Sequence, residues 1–203
     1  VPRRCGRARD AARGGDVGAC PLAPALSHDR RMSAATSSPT FDPVRQLEIA
    51  RRAIARRSFC VLATVSAAGR PHAVGILYAA VDTTLYLIAD EDSIKVRNVR
   101  ENPRVAVSIP VRRWPFAPPM MVQFQGTARV LSAQESPVRE LLAGRRLRRI
   151  TGLGAGSAPG TCYLEVTPGR RILTYGLGMP LHRLLRDLTS GQRSVELPAA
   201  VAR

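Results

Sequence analysis

The chain has 203 residues and a formal net charge of +16, from 31 Lys and Arg against 15 Asp and Glu. This length suits one folded domain with tails, and no apolar run approaches the ~18–20 residues of a membrane-spanning helix, so we expect no membrane span. A positive charge of this size is typical of proteins that bind nucleic acids or anionic surfaces. A compositional bias towards arginine is the favoured alternative, because the arginines are spread along the chain with few aromatic residues among them for base stacking.

The cysteines give no sign of a metal site or a disulfide framework. They form no Cys-x-x-Cys pair and no Cys/His cluster, and they are Cys5, Cys20, Cys60 and Cys162. We expect buried free thiols at the two that fall in predicted strands, and a reducing cytoplasm fits that chemistry.

Residues 1–40 are predicted to lie outside the fold. The stretch is rich in Ala, Arg, Gly, Pro and Ser and has no apolar periodicity, so it cannot bury enough surface to offset its ordering entropy. It also lacks the continuous apolar core of a secretory signal. Met32 is followed by Ser-Ala-Ala and reads like an initiator. The residues before it are therefore either a mis-assigned upstream extension or a disordered arm.

A helix and an antiparallel meander are predicted next. Asp42 is a suitable N-cap and Pro43 a suitable first helical residue, for a helix that reaches about Arg57. Short β-branched runs separated by turn residues then predict the strands Phe59–Val65, His72–Ala80 and Leu85–Ala89.

The rest of the folded region continues with strands and short helices. A helix over Ser93–Glu101 ends before Pro103, because the residue before a proline avoids the helical region. Gly126 marks a bend or bulge in a long strand. The other predicted elements are strands Arg104–Ile109, Met121–Leu131 and Thr161–Thr167, a candidate last strand Arg170–Tyr175, helices Ser136–Arg149 and Leu181–Leu188, and a frayed end.

These elements predict a mainly β fold. Six or so short strands with a few peripheral helices favour a six-stranded antiparallel barrel over a doubly wound sheet, because few βαβ units fit the order of elements. We expect the barrel domain to span residues 41–178, followed by a C-terminal helix and tail over 179–203.

The segment from Leu85 to Pro110 is the first candidate for a functional site. Two apolar runs bracket a polar stretch that contains Ser93 and Lys95, and Lys95 is the only lysine in the chain. A strand end that leads into a helix start offers backbone N–H groups and a favourable dipole to an anion, and the lysine adds a mobile charge. The segment therefore fits a phosphate site, whereas a solvated helix lysine is the ordinary alternative.

The same segment resembles that of a known family. The string DSIKVRNVRENPRVAVS begins at Asp92 and follows a GRPH turn at residues 69–72. It is similar to the corresponding string of the pyridoxamine 5′-phosphate oxidase-like split β-barrel proteins, and the resemblance covers residues 42–167. It implies an FMN-binding type of split barrel and a homodimer with the cofactor at the subunit interface. It also implies FMN or the 8-hydroxy-5-deazaflavin coenzyme as the cofactor.

The resemblance implies which residues contact that cofactor. Ser93 and Lys95 would contact its phosphate, with Ile94 between them in the same segment. Ala89 and Asp90 would lie beside the ring system. These five residues form the predicted cofactor segment.

Other candidates have ordinary alternatives of equal or greater weight. His72 faces the cofactor from the second strand, or it is a satisfied or exposed histidine. Trp114 covers the ring or lines a substrate pocket, or it packs under its own proline-rich loop. The arginines of 145–149 receive the anionic tail of the deazaflavin, or they form a solvated helix face.

The sequence also departs from the vitamin B6 oxidases of this family. Those enzymes carry an arginine and a lysine on the second strand, where this chain has Val74 and Ala79, and an arginine in place of Ile94. Their C-terminal Arg-x-His segment has no counterpart here. Vitamin B6 oxidase activity is therefore not expected. The loss of the basic pair favours the deazaflavin, whereas the name usually given to sequences of this kind favours FMN, so both cofactors stay open.

The leading functional hypothesis is a flavin- or deazaflavin-dependent oxidoreductase. Its cofactor would supply hydride transfer to or from a small organic substrate, while the protein supplies position and electrostatics. Because no proton-transfer residue stands out, the alternative is a non-catalytic split-barrel protein that binds a flavin, haem or another ligand.

Overall fold

The computed structural model describes residues 42–112, 120–152, 158–187 and 191–198. The predicted N-terminal extension and Trp114 lie outside these ranges. The described helices are α1 (Pro43–Arg56), α2 (Ile94–Glu101), α3 (Ser136–Ala143), α4 (Arg148–Thr151) and α5 (Leu181–Arg186), and none of them has the length and apolar composition of a membrane span. The strands are β1 (Phe59–Val65), β2 (Pro71–Val81), β3 (Thr84–Asp90), β4 (Arg104–Val111), β5 (Met120–Leu131), β6 (Thr161–Tyr175) and β7 (Gln192–Glu196).

Six of these strands close into an antiparallel barrel. Their order is β3-β2-β1-β4-β5-β6, and β3 pairs with β6 to complete the ring. β7 adds to β6 outside the ring. The predicted mainly β fold, a six-stranded antiparallel split barrel with peripheral helices, is confirmed.

The helix predicted over Ser136–Arg149 is interrupted. α3 ends at Ala143, and in the turn that follows Arg145 has a φ of 55°. This left-handed residue turns the chain so that Leu147 and Ile150 are buried in an apolar cluster on the outer face of the barrel. The prediction of one continuous helix was wrong, because burial of these two side chains outweighs further helical hydrogen bonds.

The C-terminal part carries more strand than the sequence indicates. β6 runs unbroken through both predicted segments, Thr161–Thr167 and Arg170–Tyr175. β7 pairs with the second of them, so residues 192–196 of the predicted tail form a strand that the sequence did not indicate. Arg193 of β7 donates to Oε1 of the buried Gln46 in α1 (3.2 Å), which ties this strand to the rest of the fold.

Gly126 lies where β5 and β6 bend together, as predicted. The register of the two strands shifts between Phe124 and Gly126, and Gly126 lies opposite Pro168. A Cβ at this position would collide with the backbone of Thr167, so only glycine permits the approach.

Two apolar clusters hold the elements together. In the barrel interior, α1 contributes the fully buried Ala50 and Ile54, and the Tyr78 hydroxyl donates to the Ile54 carbonyl (2.8 Å). The outer cluster packs α3 and α4 onto the sheet and consists of Ala79, Tyr86, Leu131, Val138, Leu147, Ile150 and Tyr163.

The cysteines within the described residues are buried free thiols, as predicted. They are Cys60 on β1 and Cys162 on β6. Burial raises the pKa of Cys60 to about 12, so this thiol stays protonated at neutral pH.

Candidate functional site

A buried hydrogen bond fixes α2 against β1. Asn98 is 5 % exposed, and its Nδ2 donates to Thr64 Oγ1 (3.0 Å). Val96 and Val99 of the same helix are buried in the interior cluster. Because a buried amide without a partner is costly, the bond sets the rotation of α2 about its axis. The start of α2 consequently has a defined position beyond the end of β3.

The N-terminus of α2 lacks a side-chain cap. Ser93 is the N-cap residue, but its hydroxyl donates to the Asp90 carbonyl (2.6 Å) and accepts nothing from the helix. Asp90 Oδ1 in turn accepts the Asp92 N–H (2.9 Å). The first amides of α2, those of Ile94 and Lys95, therefore have no side-chain acceptor among the described residues. They carry the positive end of the helix dipole.

An open cavity of about 440 Å³ lies beside this helix start. It is lined from β2, from the end of β3 and α2, and from the segment before β6, by Val74, Gly75, Ile76, Ile88, Ala89, Asp90, Lys95, Ala158, Pro159, Gly160 and Thr161. Lys95 is half-buried and makes no ion pair within the described parts of the chain. Its ammonium is available to an anion at the helix start.

The cavity brings together part of the predicted cofactor segment. Ala89, Asp90 and Lys95 line it, and Ala89 offers chiefly its backbone because its side chain is 4 % exposed in the interior cluster. Ser93 and Ile94 adjoin Lys95 without lining the cavity, and the Ile94 side chain is 50 % exposed.

His72 stands apart from this lining. It is half-buried, pairs with Thr64 across β1 and β2, and lies on the same face of β2 as Val74 and Ile76. A role of His72 towards a cofactor stays a prediction, as does that of Trp114, which lies outside the described residues.

Sequence reasoning missed the segment before β6. The Gly160 carbonyl accepts a hydrogen bond from the Glu91 N–H (2.9 Å), and Asp90 pairs with Thr161. This segment therefore contacts the turn that precedes α2. Gly160 has a φ of 78°, a conformation that favours glycine. No local pattern points to the contact, because closure of the barrel brings together segments that are far apart in sequence.

β2 lines the cavity with two apolar side chains and with the backbone of Gly75. Val74 and Ile76 line it, and the Phe59 ring covers Gly75 so closely that a Cβ there would lie 2.8 Å from Cζ of Phe59. Ala79 is 1 % exposed in the outer cluster, away from the cavity. Lys95 is therefore the one basic residue among the described lining residues.

Removal of the Asn98 amide tests how α2 is held. We expect Asn98→Ala to lower the free energy of unfolding by about 1–3 kcal/mol, because it leaves the buried Thr64 hydroxyl without its donor. Urea denaturation measures the change, with Arg97→Ala on the exposed side of the same helix as the control. Equal effects of the two substitutions would contradict the assignment.

Comparisons with known proteins agree with this architecture. A heme binding protein from Mycobacterium smegmatis superposes with a TM-score of 0.59 at 16 % sequence identity, over 74 % of this chain and 57 % of that one. HutZ, the heme storage protein from Vibrio cholerae, superposes with a TM-score of 0.53 at 19 % identity, over 66 % of this chain and 95 % of that one. At these identities the likeness shows the fold alone, and the chain spans little more than half of the mycobacterial protein.

The sequence itself places the chain in a family. No curated protein sequence matches it. The family model described as pyridoxamine 5′-phosphate oxidase matches residues 47–171, which include β1 to β5 and the whole cofactor segment. Because this match covers more than half of the chain, the protein belongs to the pyridoxamine 5′-phosphate oxidase family.

Proposed function

We propose that the protein is a flavin- or deazaflavin-dependent oxidoreductase that transfers a hydride to or from a small organic substrate. The observation that carries the proposal is the uncapped start of α2, where the half-buried Lys95 lines a cavity and the first helical amides beside it lack a side-chain acceptor among the described residues. FMN and the 8-hydroxy-5-deazaflavin coenzyme both carry a phosphate, the kind of group that a helix start binds. A cytoplasmic location belongs to the same proposal.

The cavity fits a ligand with an anionic end and a flat apolar body. Each charge-assisted hydrogen bond from the amides of Ile94 and Lys95 to a phosphate would contribute about 1.5–3 kcal/mol. Ile76 and Ile88 supply apolar walls, and Gly75 leaves bare backbone beside them. The cofactor supplies the hydride-transfer chemistry when bound, and these residues bind and orient it.

The missing basic pair bears on the choice between the two cofactors. Val74 lines the cavity and Ala79 is buried in the outer cluster, so the second strand adds no cation. The phosphate monoester of FMN carries a charge near −2 and gains most from extra cations, whereas the phosphodiester of the deazaflavin carries one charge. A site with Lys95 as its cation therefore favours the deazaflavin.

Neutralising Lys95 tests this site directly. We expect Lys95→Gln to weaken binding of either cofactor by roughly tenfold or more, because a charge-assisted contact is lost. Absorbance and fluorescence titrations measure the dissociation constants, with Arg97→Gln removing the same charge from the exposed side of α2. The site is misassigned if both variants lose affinity equally, and the oxidoreductase proposal fails if neither cofactor binds the wild-type protein at micromolar concentration.

A non-catalytic haem- or flavin-binding protein is the second candidate. The observation in its favour is that two of the solved structures with a similar fold are described as a heme binding protein and a heme storage protein. His72 is half-buried on the inward face of β2, and histidine is a common haem ligand. A haem spectrum lost in His72→Ala supports this candidate, whereas oxidation of the reduced cofactor by a quinone supports the enzyme.

We also propose that two copies associate through the outer face of β1 and β2. Val61 and Leu77 are 37 % and 51 % exposed there, a large apolar exposure for neighbouring strands. Through the exposed Gly75 the face continues to the cavity beside the start of α2, which we call the cofactor cavity because the cofactor is proposed to bind there. A second copy seated on this face would cover the open side of the cavity, as the predicted homodimer requires.

A charge placed on this face should separate the copies. We expect Leu77→Arg to weaken the dimer by at least roughly tenfold, because a guanidinium would be desolvated in an apolar contact. Sedimentation velocity over a concentration series measures the association. Leu185→Arg is the matched control, since Leu185 is 61 % exposed on α5. A Leu77→Arg protein that stays dimeric, or a wild-type protein that is monomeric, contradicts the proposed interface.

A further inference from the structure

A second cavity, of about 350 Å³, is lined largely by arginine. Its lining residues come from the end of α1, the start of β1 and the end of β4, and they are Arg56, Arg57, Ser58, Phe59, Pro110 and Arg112. No acidic residue is among them. We call this cavity the arginine cleft.

The arginine cleft and the cofactor cavity share no lining residue, although they adjoin at Phe59. Phe59 lines the cleft, and its ring packs against Gly75, which lines the cavity. Lys95 is the basic residue of the described cavity lining, whereas arginines supply the charge of the cleft. The arginines of the cleft are therefore distinct from the helix start that meets the proposed cofactor.

Backbone hydrogen bonds hold part of the charge in place. Arg57 Nη2 donates to the Arg112 carbonyl (2.8 Å), and Arg149 Nη1 donates to the carbonyls of Ala55 (2.7 Å) and Arg57 (3.4 Å). These bonds satisfy carbonyls at and just beyond the end of α1, which accounts structurally for two of the arginines. They use only some of the five N–H groups of each guanidinium, so donors remain for a ligand.

Among the described residues, Arg56 and Arg112 make no such backbone hydrogen bond, and Arg56 lies in the last turn of α1, where the helix dipole favours a cation. Arg56 and Arg112 are exposed side chains of the cleft, and the ion pairs described in this structure join other arginines to glutamates. Those ion pairs are Arg52–Glu48, Arg129–Glu165 and Arg171–Glu196. Like charges gathered without a counter-charge repel one another, and an anion bound among them would relieve that repulsion.

We propose that the arginine cleft binds a small molecule with two adjacent phosphate groups. Guanidinium groups pair with phosphate oxygens two at a time, and the three guanidinium groups of the cleft come from two separate chain segments. A single phosphate brings fewer than two charges to them, whereas a diphosphate offers oxygens to both segments at once. The volume lies in the range of small-molecule sites and is too confined for a duplex.

Calorimetric titration with inorganic pyrophosphate tests the proposal. We expect pyrophosphate to bind one site per chain at micromolar concentration, and inorganic phosphate to bind roughly tenfold more weakly or worse. Arg56→Gln/Arg112→Gln should weaken pyrophosphate binding by roughly tenfold or more, because it removes two of the three guanidinium groups that line the cleft. Neither side chain makes an ion pair with another described residue, so we expect the fold to tolerate the change. Arg139→Gln, on the exposed side of α3, is the charge-matched control and should bind as the wild type does.

Further measurements distinguish binding in the arginine cleft from binding in the cofactor cavity and from non-specific attraction to the positive charge of the protein. Lys95→Gln should leave pyrophosphate binding unchanged, and the double arginine variant should leave cofactor binding unchanged. The proposal is overturned if pyrophosphate does not bind at millimolar concentration. It is equally overturned if the double variant and Arg139→Gln lose affinity alike, or if a short DNA duplex binds more tightly than pyrophosphate and displaces it.

Discussion

The pairing of β3 with β6 is the constraint on which the rest of the structure depends. It closes the barrel, and its last pair, Asp90 with Thr161, brings the segment before β6 to the turn that precedes α2. Both walls of the cofactor cavity therefore exist only in the closed barrel. Asp90 contributes to closure through its backbone and to the turn through its side chain, so the fold and the site share one residue.

The anion-binding role that we propose for α2 rests on the hydrogen bonds within that turn. Ser93 and Asp90 use their side chains within the turn, and the first amides of the helix are left for a ligand. Asn98 keeps the helix in register with β1, so these amides have a fixed direction. Lys95 adds the one positive charge of the described lining, and β2 contributes no basic residue to it. The site thus relies on backbone geometry more than on side-chain charge.

The sequence predicted the parts of this structure that depend on local signals. The strands of the meander, the helix that starts after Ser93 and the bend at Gly126 all follow from residue periodicity, capping and proline or glycine positions. It did not predict β7, the break after Ala143 or the contact of Gly160 with the cavity. Each of these is set by pairing or burial between distant segments, which leaves no local pattern. The resemblance pointed to a segment that lies beside an open cavity, and barrel closure decided which of its residues line that cavity.

The central claim is that a phosphate at the start of α2 anchors the cofactor. The most direct measurement compares the affinity of the protein for each cofactor with its affinity for the same ring system without phosphate, such as FMN against riboflavin. The claim predicts that the phosphorylated form binds at least roughly tenfold more tightly, as the loss of one charge-assisted contact alone would require. Equal affinity for the two forms would contradict it.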